Sequence, residues 1–516
     1  MASIDSRARR GLVLGGVMAA MFLAAMESTV VATAMPTVIA SLGGIRIYSW
    51  TFSAFLLTST VSMPIWGRLA DHLGRRPAYL GGLALFLLGS ALAGFSRSME
   101  QLIAFRALQG LGAGSLITIG MTIIGDLYGM ERRAKMQGYF SSVWGMASLV
   151  GPLVGGFLTD RVSWRWVFYI NLPFGILAAA AIAAGLRDEA PEHPRGTFDV
   201  LGMAVFVAAI SAFLVGLVDA GAGESWARAS VVGLLALSGA LLVVFVFVER
   251  RVAEPMIPLR LFGNPIVRSA AVTGLLAGMA MFGAIAYVPL YLQAVTGASA
   301  TLSGWVLMPF VLGWVVFSIL AARLCLRIGY RPVVLTGMVA LVLAFVLLSG
   351  WNETLTAAVA ARDITLAGVG MGMIFVPMLI AVQSAVPRSL LGSATSLTSF
   401  FRTIGGAVGV AVMGAAMTHR LERALAAMVA TAPDALREPL QQLAAHPDLV
   451  VNPITRATFG SDLLALMRPA LAHAVGGVFV VGLVVAVVAL LSGLLVPAGH
   501  AHDLAIPRDR ATRPDA

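Results

Sequence analysis

The feature that most constrains this chain is its series of long apolar runs, because about 20 apolar residues are enough to cross a bilayer as a helix. Only 12% of the 516 residues are charged, whereas a soluble domain has about a quarter. The fourteen runs lie at roughly 12–40, 50–67, 78–95, 102–125, 136–159, 164–185, 200–219, 229–248, 266–292, 301–322, 332–350, 357–385, 396–416 and 472–496. Since a segment in lipid must satisfy its own backbone hydrogen bonds, the sequence predicts an all-α integral membrane protein with fourteen transmembrane helices.

The basic residues predict the side of the membrane on which each end of the chain lies. With the N-terminus placed in the cytoplasm, the cytoplasmic segments hold most of the 35 Lys and Arg residues, and the short outer loops hold few. Such an excess marks the cytoplasmic side. We therefore expect a multi-pass protein of the plasma (inner) membrane with both termini in the cytoplasm. The net charge of +10 then faces anionic lipid, and no nucleic-acid partner is predicted.

The sequence lacks the residue patterns of metal sites, cofactor sites and enzymes. Cys325 is the only cysteine, so neither a disulfide nor a Cys-based zinc site is predicted. The Gly-x-Gly spacing in GLGAGSLITIG follows no predicted strand, which argues against a dinucleotide-binding fingerprint. No nucleophile–base pattern is present. We predict a protein that is not an enzyme and that uses no cofactor and no metal.

An internal repeat divides the chain into two similar halves. The segments GRLADHLGRRP (67–77) and ARLCLRIGYRP (322–332) match at five positions with a shift of 255 residues. The predicted domains are an N-terminal six-helix bundle at 12–185, a central pair of helices at 200–248 and a C-terminal six-helix bundle at 266–496, with pseudo-two-fold symmetry between the bundles. Repeats of this kind underlie alternating-access transporters. Chance similarity of two basic loops is the alternative.

Seven motifs together indicate a known family, and they are GRLADHLGRRP, RALQGLGAG, GPLVGG, WRWVFYINLPFG, PMIPLRLF, YVPLYLQAVTGAS and FFRTIGGAVGVAV. With them the chain resembles the fourteen-helix drug:proton antiporter family of the major facilitator superfamily, the multidrug efflux transporters. The first motif is similar to the superfamily's loop between the second and third helices, the second to its fourth-helix motif and the third to the fifth-helix motif of antiporters. The last four are similar to the fourteen-helix branch. The resemblance implies that the proton gradient drives export of small amphipathic compounds such as drugs and antibiotics. We expect a monomer, because the fold needs no partner.

Glu27 lies in an otherwise apolar run, about 15 residues into the first predicted helix and so about 22 Å along its axis. A carboxylate at that depth is costly and marks a functional site by default, so Glu27 is predicted to be the principal proton-coupling residue. The resembling family usually has Asp at this place. The same resemblance ties Arg106, the arginine of RALQGLGAG, to proton transfer. The alternatives are a purely structural Glu27 and an Arg106 that extends to the interface.

The loop at 67–77 is predicted to control opening towards the cytoplasm. An acidic residue among arginines at a helix end can tie neighbouring helices together, and loss of the tie would favour inward opening. The alternative is a basic anchor that only sets topology. The predicted gating residues are Gly67, Arg68, Asp71, Gly74, Arg75 and Arg76.

The segment GPLVGG combines a proline that kinks a helix with glycines that let a facing helix approach closely. The resemblance adds the link to antiporters, and packing alone is the alternative. The residues of this motif are Gly151, Pro152, Gly155 and Gly156.

Aromatic, Met and polar side chains are candidates for a promiscuous substrate cavity, since Met packs adaptably. Packing against lipid or core is the alternative for each of them, and for Arg402 a side chain that extends to the interface. The candidates are Trp50, Phe55, Tyr287, Tyr291, Gln293, Met308 and Arg402. The segment 417–471, of mixed polarity, is predicted to be a long extracytoplasmic loop with short amphipathic helices.

These features, together with the efflux function that the resemblance implies, predict proton-coupled export of small amphipathic or hydrophobic compounds by alternating access. The predicted partners are a small-molecule substrate, protons and the lipid bilayer. Export of one endogenous metabolite or lipid, and import on the same fold, are alternative modes of transport. A non-transporting membrane scaffold or sensor is an alternative of a different class, because one fold hosts many functions.

Overall fold

A computed structural model of the chain gives an all-helical protein. It describes residues 6–43, 47, 50–128, 136, 143–147, 150–151, 154–159, 161–187, 199–221, 228–252, 255–298, 300–431, 434–445 and 461–499. The first half contains α1 (Ser6–Leu42), α2 (Trp50–Leu73), α3 (Arg75–Phe95), α4 (Met99–Leu127), the short α5 (Trp166–Tyr169) and α6 (Asn171–Gly185). The remainder contains α7 (Val200–Gly221), α8 (Ala229–Glu249), α9 (Pro265–Tyr291), α10 (Ala300–Ile328), α11 (Tyr330–Ser349), α12 (Ala357–Ala385), α13 (Leu391–Thr431), α14 (Asp434–Ala445) and α15 (Ser461–Gly493).

Twelve helical stretches in the described residues are long and apolar enough to cross a membrane, so the fourteen predicted transmembrane helices are not confirmed. The two predicted runs without a counterpart are 50–67 and 136–159. The first forms most of α2, in which Ser and Thr side chains and the charged end at Arg68 and Asp71 lower the hydropathy. The second is described only in short pieces. The chain is a multi-pass membrane protein with about twelve apolar helices.

Buried apolar side chains form two large clusters, one in each half of the chain. One draws nearly all its members from 13–186 and the other from 206–496. The exceptions mark where the halves meet, since Val61 of α2 belongs to the second cluster and Leu379 of α12 to the first. At this junction α2 and α4 pack against α13, and α7 packs against both α2 and α13. Helix α2 therefore packs against helices of both halves.

The repeated segments have the same backbone conformation at their shared glycine. Gly74 and Gly329 have φ angles of 99° and 85°, a region that residues with a Cβ disfavour, and the next residue starts α3 or α11. Two residues later, Arg76 donates to a carbonyl in the last turn of α6 at 2.8 Å, and Arg331 donates to a carbonyl just after α15 at 3.0 Å. The two segments thus make equivalent turns and equivalent contacts within their own halves.

The segment predicted as the loop 417–471 is largely helical where it is described. Helix α13 continues to Thr431, α14 follows, and α15 begins at Ser461. The predicted boundaries therefore fall inside helices, because the end of an apolar run marks the edge of lipid and not the end of a helix. After residue 416 the chain offers good helix formers such as Ala, Leu, Glu and Arg until Pro433, which cannot continue a helix.

Candidate functional site

The N-terminal half contains a buried ion pair between α1 and α4. Arg106 Nη1 donates to Glu27 Oε1 at 2.6 Å, and each side chain is 1% exposed. The same Nη1 donates at 2.7 Å to Gln109 Oε1, one turn further along α4. The sequence indicated Glu27 and Arg106 separately, and the fold brings the two together across 79 positions. The intramembrane carboxylate therefore has a full positive charge beside it.

Asn171, the first residue of α6, holds the second oxygen of the Glu27 carboxylate. Its Nδ2 donates to Glu27 Oε2 at 2.7 Å and to Ser90 Oγ at 2.9 Å. Ser90 Oγ in turn donates to the carbonyl of Phe168 at 2.8 Å. Sequence reasoning missed Asn171 and Gln109, although each is an amide within a quoted motif of an otherwise apolar run. A polar amide among apolar residues was the sequence signal that could have identified both residues.

Arg106 also connects the ion pair to α2. Its Nε donates to the Thr51 carbonyl at 3.2 Å, and its guanidinium carbon lies 4.2 Å from the centroid of the Phe55 ring. A cation in that position is attracted by the quadrupole of the ring. Phe55, a predicted cavity residue, thus has one face covered by Arg106. A single side chain couples α1 to α2, so a change in the charge of Glu27 acts on both helices.

Asp71, near the end of α2, accepts hydrogen bonds from the start of α13. The backbone N–H groups of Gly392 and Ser393 donate to it at 3.0 and 2.8 Å, and the hydroxyl of Ser393 donates at 2.7 Å. Helix N-termini favour anions because their first N–H groups lack partners within the helix and carry partial positive charge. More than 320 positions separate the partners, so this contact ties one half of the chain to the other.

Arg75 reinforces the tie from the first turn of α3. Its Nη1 lies 2.5 Å from Asp71 Oδ1, and its Nε lies 2.9 Å from Asp126 Oδ2 at the end of α4. The backbones approach closely here as well, since a Cβ added to Gly67 would lie 2.8 Å from the carbonyl oxygen of Gly392. Glycine is required for that approach. The cluster thus combines charge and close packing at one end of the junction.

The other predicted gating and motif residues lie as follows. Arg68 is half-buried on α2, one turn before Asp71. Gly151 and Gly155 are buried and helical, whereas Pro152 lies outside the described residues. A Cβ added to Gly156 would meet nothing within 4 Å.

The predicted cavity residues are distributed over several helices of both halves. The hydroxyl of Tyr287 donates to the Val410 carbonyl at 2.9 Å. The Tyr291 ring, 0% exposed, packs against two other rings within the C-terminal half, those of Trp351 and Phe479. The remaining candidates are partly buried, and they are Trp50 at the start of α2, Gln293 in the π-helical segment Leu292–Thr296 that continues α9, Met308 on α10 and Arg402 on α13.

The chain is similar to known membrane transporters over nearly its whole length. The model of the Major Facilitator Superfamily matches residues 17–410. The chain is 35% identical to multidrug transporter protein MdtP of Bacillus subtilis (strain 168), over 96% of this chain and 95% of that protein. It is 31% identical to multidrug resistance protein 3 of the same organism, over 94% of each chain.

A solved structure has the same fold. The human organic anion transporter MFSD10 (TETRAN) superposes with a TM-score of 0.61, over 93% of this chain and 99% of that chain. The two sequences are only 15% identical, so this likeness concerns the fold alone.

Proposed function

The chain belongs to the major facilitator superfamily, and from this premise we propose that it is a proton-coupled antiporter that exports small amphipathic or hydrophobic compounds, drugs among them. It is a transporter and not an enzyme. Relatives of nearly equal length are named multidrug transporters, which supports drug efflux. The observation that carries the proposed proton coupling is the ion pair of Glu27 and Arg106, which is buried among membrane helices.

A proton on Glu27 would change the forces in this network. The neutral carboxyl group loses most of its attraction for Arg106, because the interaction of two full charges in a medium of low dielectric is far stronger than that of a charge with a dipole. Arg106 is then held mainly by Gln109 and by α2, through the Thr51 carbonyl and the Phe55 ring. Proton uptake therefore shifts the balance of contacts between α1, α2 and α4.

Helix α2 connects the proton site with the gate. Thr51 contacts Arg106 near one end of the helix, and Asp71 contacts α13 near the other. The two positions are about 30 Å apart at 1.5 Å per residue. A helix with a contact at each end, one of them sensitive to protonation, is a physical means of coupling proton uptake to opening of the gate. Pro64 lies between the two contacts, where a missing backbone hydrogen bond lets the helix bend. No cofactor enters this scheme, since the proton gradient supplies the energy.

The proposed topology has fourteen transmembrane helices, with α2 and the segment 136–159 crossing the membrane together with the twelve apolar helices. The basic residues favour both termini in the cytoplasm. The Asp71 contact then lies on the cytoplasmic side, so the described conformation is closed there and the gate would open after the contact breaks. The two bundles and the central α7–α8 pair form the proposed domains of a monomer.

The proposed function is tested in everted inner-membrane vesicles in which respiration acidifies the interior. We expect ethidium or N-phenyl-1-naphthylamine, added outside, to release protons from vesicles that contain the protein and not from vesicles that lack it. A pH-sensitive acridine dye reports the release. If a panel of cationic, neutral and anionic amphiphiles enters the vesicles without releasing protons, the proposed antiport is wrong. If none enters, the export function fails as well, and a scaffold or sensor is favoured.

A further inference from the structure

Arg402 is a cation without a counter-charge in the described part of the chain. It lies 11 residues after the start of α13, about 16 Å along the axis, and it forms no ion pair or hydrogen bond with the described residues. Its Nε atom is completely buried. Arg106, by contrast, has Glu27 beside it. Because an uncompensated charge within a membrane is costly and usually marks a functional site, Arg402 requires an explanation.

The surroundings of Arg402 contain a second donor that lacks an acceptor. Its guanidinium carbon lies 5.2 Å from the centroid of the Phe375 ring of α12. The Trp314 ring of α10 lies 6.3 Å from the same ring, and its indole Nε1 is buried without a hydrogen-bond partner among the described residues. On the other side, Gly278 of α9 allows the backbone of Arg402 to approach closely. The Phe375 ring is thus next to two side chains that each carry a donor without an acceptor among the described residues.

The chemistry of these two donors specifies which kind of ligand would accept their hydrogen bonds. A guanidinium and an indole N–H can only donate, so the missing group accepts hydrogen bonds, and the uncompensated charge requires it to be negative. Carboxylates and sulfonates satisfy both requirements, and a guanidinium can bind them through two parallel hydrogen bonds. The rings of Phe375 and Trp314 favour an aromatic body next to the anionic group, since ring pairs prefer offset or edge contacts.

We propose that Arg402 and Trp314 form an anion-binding subsite of the transport site, and that the substrates include amphipathic aromatic carboxylates or sulfonates. The assignment of this subsite to transport rests on the proposed export function. At this subsite the charge distribution favours anions over cations, because Arg106 already neutralises Glu27, a buried acid of the first half, whereas nothing in the described residues neutralises Arg402.

The test is a binding measurement with two dyes that share one ring skeleton. 1-Anilinonaphthalene-8-sulfonate and N-phenyl-1-naphthylamine differ by the sulfonate group. Equilibrium dialysis against the full chain in phosphatidylcholine nanodiscs, with empty nanodiscs subtracted, gives the ratio of the two affinities. We expect the native protein to favour the sulfonate by roughly tenfold or more, as a charge-assisted, bidentate contact allows. Arg402→Gln should remove this preference, and Arg402→Lys should keep part of it.

Arg362→Gln is the matched control, because Arg362 is 67% exposed and already paired with Asp363. It should leave the ratio unchanged. Trp314→Phe keeps the ring but removes the N–H donor, and it should lower the ratio about threefold. It also provides a second variant if Arg402→Gln does not fold, which gel filtration would reveal.

The outcomes separate this inference from the proposed function. Equal native affinities for the two dyes, or a preference that survives in both Arg402→Gln and Trp314→Phe, would overturn the anion subsite, whatever the vesicles show. A sulfonate preference that depends on Arg402, together with vesicles in which no compound moves, would support the subsite and contradict the export function.

Discussion

Arg106→Gln is expected to destabilise the protein by about 3–5 kcal/mol, the cost of removing one partner from a buried ion pair. The substitution leaves the Glu27 carboxylate buried without its cation, while the Asn171 amide still donates to it. It also removes the contacts of Arg106 with Thr51 and Phe55, and so loosens α2. Unfolding in detergent, followed by near-UV circular dichroism, measures the loss.

The double variant Glu27→Gln/Arg106→Gln separates the charge effect from the packing effect. It removes both charges, so we expect it to recover much of the stability that Arg106→Gln loses. Arg362→Gln serves as the control, because solvent screens the charge of the exposed Arg362 and Asp363 keeps the Trp351 indole as a donor. Equal stabilities for Arg106→Gln and the double variant would show that the unpaired Glu27 carboxyl group carries no charge penalty, and would contradict the predicted charge effect.

Asp71→Asn is expected to shift the protein strongly towards the state that is open at this end. Asn has nearly the same shape but lacks the charge that interacts with the α13 N-terminus and with Arg75. Loss of a hydrogen bond to a charged group costs about 1.5–3 kcal/mol. The ratio of open to closed molecules should therefore rise by roughly 10- to 100-fold, since each 1.4 kcal/mol changes an equilibrium tenfold.

Spin labels at positions 73 and 327 measure this shift by double electron–electron resonance. Leu73 and Arg327 are exposed at the ends of α2 and α10, and the only native cysteine is removed by Cys325→Ala. We expect the distance distribution to move to longer values in Asp71→Asn. Asp126→Asn is the matched control, because it removes a charge that pairs with the same Arg75, whereas the α13 donors described above contact Asp71. Identical distributions in the native protein and Asp71→Asn would contradict the assignment of Asp71 to the gate.

The sequence predicted which side chains are unusual better than it predicted their partners. Glu27 and Arg106 each stand out as a charge in an apolar run, but whether they face each other depends on the rotation of two helices. Asn171 is harder to detect because an amide in a membrane helix is less costly than a charge. The partners of Asp71 could not be found from side chains, since two of its three described donors on α13 are backbone N–H groups.

The helix count and the helix ends show a different limit of sequence reasoning. Hydropathy measures affinity for lipid, whereas α2 is buried between other helices. Ser and Thr are tolerated there, because their hydroxyls donate to carbonyls one turn earlier, as that of Thr58 does at 2.9 Å. The same measure placed the end of α13 near residue 416, whereas the helix continues beyond the apolar run. The repeat at 67–77 and 322–332 was more informative, because glycine, arginine and proline at fixed spacing specify a turn directly.

The central claim is that Glu27 carries the proton that drives export, and drug-dependent proton release from everted vesicles tests it most directly. Native protein, Glu27→Gln and Glu27→Asp are compared at equal expression, with ethidium as the added compound. Exchange of radiolabelled ethidium, measured without a pH gradient, checks that each variant still moves substrate. The account predicts that Glu27→Gln exchanges ethidium but releases no protons, whereas Glu27→Asp, which retains a titratable acid, releases them. Proton release by Glu27→Gln at the native rate would contradict it.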